Sequence, residues 1–467
     1  MPADTSPRAS SGTEERMAPL SFQQQWLWGL LQRFPRWNCV VPFALRLSGT
    51  LNTEILEVSF KELVRRHEAL RTQIVTFAGV STQKIVSPHE YEFEWVRLSG
   101  SARNERRGDP GSLVESFVAH AVSRAEGPLF RTRLFESAEG EYVLVVCMHH
   151  VITDGVSCQL MFKELWSLYS GFLLGRPASL GAGVAQYPDY AIWQHETDVA
   201  WHESHEAYWN QRLDGAQRIQ LPVQGEASLT GSSEFKEISI VFGTAAVAAV
   251  EELCRRLRTV TSLVMLSAYV ATIRRWCGQS DFVVPFNIAG RLTAEHQGMM
   301  GYLAHVVYLR MQVSGTESFV ELVKKVGREF QRGVLHQDFG RMAARAPALL
   351  QGTLCQWLSW HPRELSGVPS PEISAQLAEV LQVEPFAFQV DKGEGPALTD
   401  IGLEFFDSNP GICARVKYRT DLFNQHTMEV LLEKLQSVVE GLVSHPERHL
   451  LEDYSSLSSS APGSQQV

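Results

Sequence analysis

Met148-His149-His150-Val151-Ile152-Thr153-Asp154-Gly155 is the stretch that decides the fold of this chain and points to its chemistry. It follows Tyr142-Val143-Leu144-Val145-Val146-Cys147, a run without polar alternation, as in a strand buried on both faces. Downstream, Cys158, Met161, Phe162, Leu165, Trp166 and Tyr169 recur at helical spacing. The histidines and the Asp-Gly therefore fall on a strand-to-helix connection, the kind of segment that presents functional side chains. Neighbouring strand residues face opposite ways, so His149 and His150 are expected to have different jobs, His149 a structural one. Taken alone, Asp154 reads as a helix cap, and Gly155 as a residue that lets the backbone turn tightly and offers a bare N–H as a candidate oxyanion donor.

Five further segments accompany this one. Ser21-Phe22-Gln23-Gln24-Gln25-Trp26-Leu27-Trp28 lies near the start, followed by Arg66-His67-Glu68-Ala69-Leu70-Arg71-Thr72 and Tyr187-Pro188-Asp189-Tyr190-Ala191-Ile192-Trp193. Asn287-Ile288-Ala289-Gly290-Arg291 and Tyr418-Arg419-Thr420-Asp421-Leu422-Phe423 come later. In this order, and with His-His-x-x-x-Asp-Gly at the centre, they resemble the condensation domains of nonribosomal peptide synthetases over residues 18–450. The shorter His-x-x-x-Asp-Gly core is common to wax-ester synthases, plant-type acyltransferases and polyketide-associated acyltransferases, and the outlying segments decide among them.

The departures from that family's pattern are local. Trp26 replaces an arginine in the opening segment. Met300-Gly301-Tyr302-Leu303-Ala304-His305-Val306 stands where the family reads Ile-Gly-x-Phe-Val-Asn-Thr, so the Asn and Thr are replaced. Gly340-Arg341 replaces Pro-Phe after His336-Gln337-Asp338-Phe339, an Arg-Asp-x-Ser segment is missing, and Thr353 to Pro362 aligns poorly. These changes bear on substrate choice and leave His149, His150, Asp154 and Gly155 intact.

The resemblance implies an α/β fold of two chloramphenicol-acetyltransferase-like lobes arranged as a V, with the active site in the cleft. The lobes are expected at 18–178 and 179–454, with Gly175 to Pro188 as the linker between them. Polar, Ser-rich tails, 1–17 and 455–467, are expected to be disordered. By the same resemblance His150 handles the proton of the attacking group, as base or as positioner, and Asp154 pairs with Arg291 of the second lobe. Arg71 joins Arg291 in organising the cleft, and Ser157 and His305 are expected substrate contacts. The implied partners are acyl or peptidyl carrier proteins, which present substrate on phosphopantetheine arms, with a small amine or alcohol as a further possible acceptor. No directly bound cofactor and no metal are expected, and a monomer is.

Composition excludes other classes. The 467 residues suffice for two domain-sized lobes, and 44% hydrophobic with 20% charged residues is ordinary for a globular protein. No apolar stretch reaches the roughly 20 residues of a membrane span, Thr261 to Ile273 reads as a buried helix, and the polar N-terminus lacks a secretory apolar segment, so a cytoplasmic protein is expected. A net charge of -10 opposes nucleic-acid binding, and Arg255-Arg256-Leu257-Arg258 reads as a solvated helix face. Seven scattered cysteines without Cys-x-x-Cys fit reduced thiols, and Cys147, inside the apolar strand, fits an inert core thiol. Ser157 lacks the Gly-x-Ser-x-Gly setting of a hydrolase. His202 and His205 have no third ligand and read as a solvated polar face. Gly181 to Gln186 fails the dinucleotide fingerprint, and there is no P-loop.

The chain carries no adenylation or carrier region, so it reads as free-standing or as an excised domain. The reaction expected is amide formation from a carrier-bound thioester. Its rivals are an ester-forming O-acyltransferase with the same histidine logic and a catalytically silent platform that recruits carrier proteins or a tailoring enzyme.

Overall fold

The computed structural model describes residues 15–98, 109–120, 127–178, 180, 184–197, 199–221, 234–337, 353–358, 367–390, 398–408 and 411–451. Most of the two expected tails (1–14 and 455–467) and the Gly340-Arg341 departure lie outside them. The protein is mixed α/β and divides into two compact units. The first contains 1–199, 289–304 and 362–396, and the second contains 200–288, 305–361 and 397–467.

The expected single boundary after residue 178 is therefore corrected. The supposed linker stays with the first unit, because Leu180 and Ala185 pack on its core and Tyr187 is buried within it. Two stretches of the later chain, including the one that carries Arg291, also return to the first unit.

The first unit's main sheet has five strands, in the order Leu381–Pro385, Val40–Gly49, Glu141–His149, Phe130–Ala138, Phe93–Arg97. Glu141–His149 is its centre, antiparallel to both neighbours. Leu144, Val146 and Met148 enter a large core with Phe60 and Leu63 of helix Thr53–Arg66 and with Met161, Leu165 and Trp166 of helix Gly155–Leu173. The alternate residues Val143, Val145 and Cys147 enter a smaller core with Val114 and Phe117 of helix Pro110–His120. Both faces of the strand are covered, which is why its sequence shows no polar alternation. Burial also pushes the Cys147 thiol up to about 12, far from the thiolate a nucleophile needs.

A second sheet of this unit joins Arg16–Pro19, Val80–Ile85 and Thr72–Phe77. Arg16 and Met17, assigned to the tail from composition, begin its first strand and pair with Ile85 and Lys84. The Arg16 guanidinium bonds to Glu68 and, at 2.6 Å, to Asp189, so a charge that reads as tail polarity is an anchor.

The second unit has a six-stranded sheet, in the order His305–Gln312, Asp281–Ile288, Thr353–Leu358, Ile401–Ser408, Gly411–Arg419, Phe235–Val241. Thr353–Leu358 runs parallel to both neighbours and the remaining pairs are antiparallel. Helix Thr261–Cys277 is buried from Val264 to Ile273, so its apolar length serves a core. Among the described residues no helix is long and apolar enough to cross a membrane. His205 departs from the solvated face expected for it: it is buried, with Nε2 3.2 Å from the Leu335 carbonyl and its ring against His336.

Candidate active site

The central strand of the first unit stops at His149, and His150 opens a single 3-10 turn, His150–Ile152. The two histidines therefore do not sit on opposite faces of one strand, as simple alternation predicts. The turn forms because the His150 N–H donates to the Cys39 carbonyl at 2.9 Å, while the His150 carbonyl accepts the Thr153 N–H at 3.3 Å. Gln24 holds the turn from outside by donating to the Val151 carbonyl at 3.0 Å. Its side-chain oxygen completes a capping box with Ser21 at the start of helix Phe22–Arg33, which gives the opening sequence segment a physical role.

The two rings differ in environment. His149 is buried, its N–H donates to the Leu129 carbonyl, and its Nδ1 accepts the Val151 N–H at 3.1 Å. It caps the turn. His150 is half-buried, and its Nδ1 is enclosed without a hydrogen-bond partner among the described residues. Burial pushes the His150 pKa below the ordinary histidine value, against the opposing pull of nearby backbone and of Asp154. At neutral pH the imidazole is therefore uncharged, the form that can accept a proton.

Asp154 combines both roles read from the sequence. As the cap of helix Gly155–Leu173 it accepts the Ser157 N–H at 2.8 Å. It also receives a two-pronged guanidinium from Arg291, Nη1 to Oδ2 and Nη2 to Oδ1, each at 2.9 Å. The Leu303 and Ala304 N–H groups donate to Oδ2 at 3.0 Å. The two charged side chains are only 2% and 3% exposed. Burial alone would push the Asp154 pKa up, but the Arg291 charge and hydrogen bonds, with those of Ser157, hold it below the usual carboxylate range. Arg291 reaches Asp154 as part of the first unit, not from the second as the lobe assignment implied.

The remaining predicted residues are placed as follows. The Ser157 hydroxyl lies within 3.0 Å of Asp154 Oδ1, the Gly301 carbonyl and N–H, and Arg291 Nη2, so it belongs to this network. Gly155 is the first residue of its helix and lies outside the positive-φ glycines, so the freedom to turn that was expected of it is not used. What remains is a first-turn N–H beside the His150 turn. Arg71 belongs to a different cluster: it donates to the Val86 carbonyl at 2.5 Å and to Glu68, and Glu68 also takes Arg16. His305 begins strand His305–Gln312 of the second unit.

Sequence reasoning missed Tyr302. The Tyr302 ring stands against the His150 ring, centroids 5.0 Å apart and planes at 77°. The Tyr187 hydroxyl donates to the Tyr302 carbonyl at 2.7 Å and contacts Ser21 Oγ at 2.7 Å. A Cβ on Gly301 would come within 2.0 Å of the Tyr187 ring, so glycine is required there. The signal available was that Gly301-Tyr302 and Tyr187 lie in family-like segments.

The condensation-domain family model matches residues 14–347, and the chain belongs to that family. Malpinin synthetase of Mortierella alpina is 31% identical over 420 residues, which are 88% of this chain but 5% of that protein. The condensation domain from Monacolin K polyketide synthase MokA superposes with a TM-score of 0.73 at 18% identity, covering 93% of this chain and 99% of that one. The X-domain from teicoplanin biosynthesis superposes with a TM-score of 0.73 at 21% identity, covering 95% and 99%, and has also been solved in complex with OxyB. The fold is thus the chloramphenicol-acetyltransferase-like fold of these domains.

Proposed function

We propose that this protein joins an amine to a carrier-bound acyl or peptidyl thioester, forming an amide, in cytoplasmic natural-product biosynthesis. The observation that carries the reading is the half-buried imidazole of His150, on a turn clamped on one side by Gln24 and continued on the other by the Asp154–Arg291 pair.

In the reaction the amine nitrogen attacks the thioester carbonyl carbon, giving a tetrahedral oxyanion. The C–S bond then breaks, and the phosphopantetheine thiolate leaves. The nitrogen gives up one proton, and His150 accepts it or holds the amine so that it can leave; the thiolate takes up a proton to finish as thiol. The Gly155 N–H is the proposed oxyanion donor and His305 a proposed substrate contact. Asp154 and Arg291 act as organisers, because the Asp154 oxygens and the Arg291 Nη atoms are engaged with one another and with backbone. Carrier proteins are the proposed partners, and the phosphopantetheine arm belongs to the substrate they carry.

The test is intact-mass spectrometry of an acyl-loaded carrier protein incubated with amine and alcohol acceptors, using the protein and its His150→Ala variant. Acyl loss matched by a new amide, reduced by about 10²–10⁴-fold in the variant, is the expected result. An ester product in place of the amide would move the assignment to O-acyl transfer. Carrier binding without turnover across the panel would favour a recruiting platform, a reading favoured only by the fold shared with the X-domain.

A further inference from the structure

We infer that Tyr302 is a positioning residue for His150: the Asp154 network holds the Tyr302 backbone, and the Tyr302 ring sets the orientation of the imidazole. The inference rests on the proposed role of His150.

A histidine that handles protons is ordinarily oriented by a hydrogen bond to its second ring nitrogen. For His150 no side chain supplies that restraint, and only the backbone of His150 itself and of Thr153 lies close enough to bias the ring, with Nδ1 making no well-formed hydrogen bond among the described residues. Asp154 does not supply it, being engaged by Arg291, Ser157, Leu303 and Ala304. Packing adds to that backbone bias in fixing the ring, and the Tyr302 contact has the near-perpendicular geometry that aromatic pairs favour.

The Tyr302 backbone is unusually well tied. The Gly301 N–H donates to Ser157 Oγ at 3.0 Å, the Tyr302 carbonyl accepts the Tyr187 hydroxyl, and the Leu303 N–H donates to Asp154. Asp154 thereby acts on His150 through the residue it helps to hold, which gives the Asp of the motif a route to the histidine without touching it. The groups around the imidazole are Asp154 with its Arg291, the neighbouring His149, Cys39 at the backbone of the turn, and the Tyr302 phenol. Burial pushes the Tyr302 phenol above its ordinary value, so it stays neutral throughout the working range.

The experiment compares the full chain with Tyr302→Phe, Tyr302→Leu and Tyr302→Met, the last retaining bulk without a ring should the leucine variant fold poorly. Histidine-labelled protein is titrated by NMR, with His150→Ala to assign the signal, and kcat and KM are measured in the carrier assay. The expected result is that the phenylalanine variant keeps the His150 titration and keeps kcat within about twofold. The leucine and methionine variants lower kcat by about tenfold at nearly constant KM, mix the His150 tautomers and move its titration up towards the ordinary value. An unchanged His150 signal and kcat in the ring-less variants would overturn the inference, as would a phenylalanine variant as impaired as they are. The NMR comparison does not require turnover. Were the wild-type protein inactive on every acceptor while the ring-less variants still shifted His150, the positioning contact would stand and only the amide-forming reading would fall.

Discussion

Asp154 with Arg291 in the first unit and Glu404 with Arg415 in the second are both carboxylate–arginine pairs, built in opposite ways. Glu404 and Arg415 are 11 residues apart and face each other across two antiparallel strands. They belong to a ladder in which Asn287 donates to Gln356 and Gln356 to Glu404, each at 2.9 Å. Water reaches this ladder, since Arg415 is 19% exposed and Lys417, the other cation on Glu404, 42%. Asp154 and Arg291 are 137 residues apart and sealed, with backbone N–H groups filling the remaining acceptor sites. The ladder follows from strand register and can exchange partners with solvent. The sealed pair is held by protein groups and cannot exchange them for solvent, which suits it to hold a catalytic turn in place.

The comparison breaks most severely at Asp154. Asp154→Ala leaves Arg291 buried and uncompensated and is expected to cost about 3–5 kcal/mol, read from the thermal or urea midpoint, with loss of turnover. The double variant Asp154→Leu with Arg291→Met is expected to recover most of that stability without recovering activity, which separates folding from positioning. Glu404→Gln, by contrast, is expected to cost about 1–2 kcal/mol, because Arg415 and Lys417 can turn to water. At the surface pair Arg65–Glu62, Glu62→Gln is expected to change stability by less than about 0.5 kcal/mol.

The pH dependence sharpens the same contrast. The folded-state pKa of Asp154 is depressed, so its contribution is present above the unfolded carboxylate value of about 3.9 and is lost as pH falls through the lower folded value. Urea melts over this range should show that loss in the wild type and not in the Leu/Met double variant. For activity the sign concerns the neutral imidazole. A lowered His150 pKa places the acid limb of kcat/KM below about 6.5, and an acid limb above that value would contradict the buried setting of the ring.

Much of this was legible from local pattern. The apolar run of Glu141–His149 and the buried helix Thr261–Cys277 each follow from hydrophobic periodicity, which acts over a few residues. Family-like segments pointed to His150, Asp154 and Arg291 as site residues. Misreadings arose where contacts act over long separations. Arg16 reads as tail until Glu68 and Asp189 engage it, and the late segments read as second-lobe until they return to the first unit.

By itself, then, the sequence determined the strand, the turn-bearing motif, the helix that follows and the family, because hydrophobic period and short-range caps are written in neighbouring residues. Only the tertiary structure decided that His150 leaves the strand for a turn, that Asp154 is sealed against Arg291, and that Tyr302 stands against the imidazole. Those facts depend on which distant backbone and side-chain groups remain to satisfy a buried charge or fill the space beside a ring, and no local pattern records them.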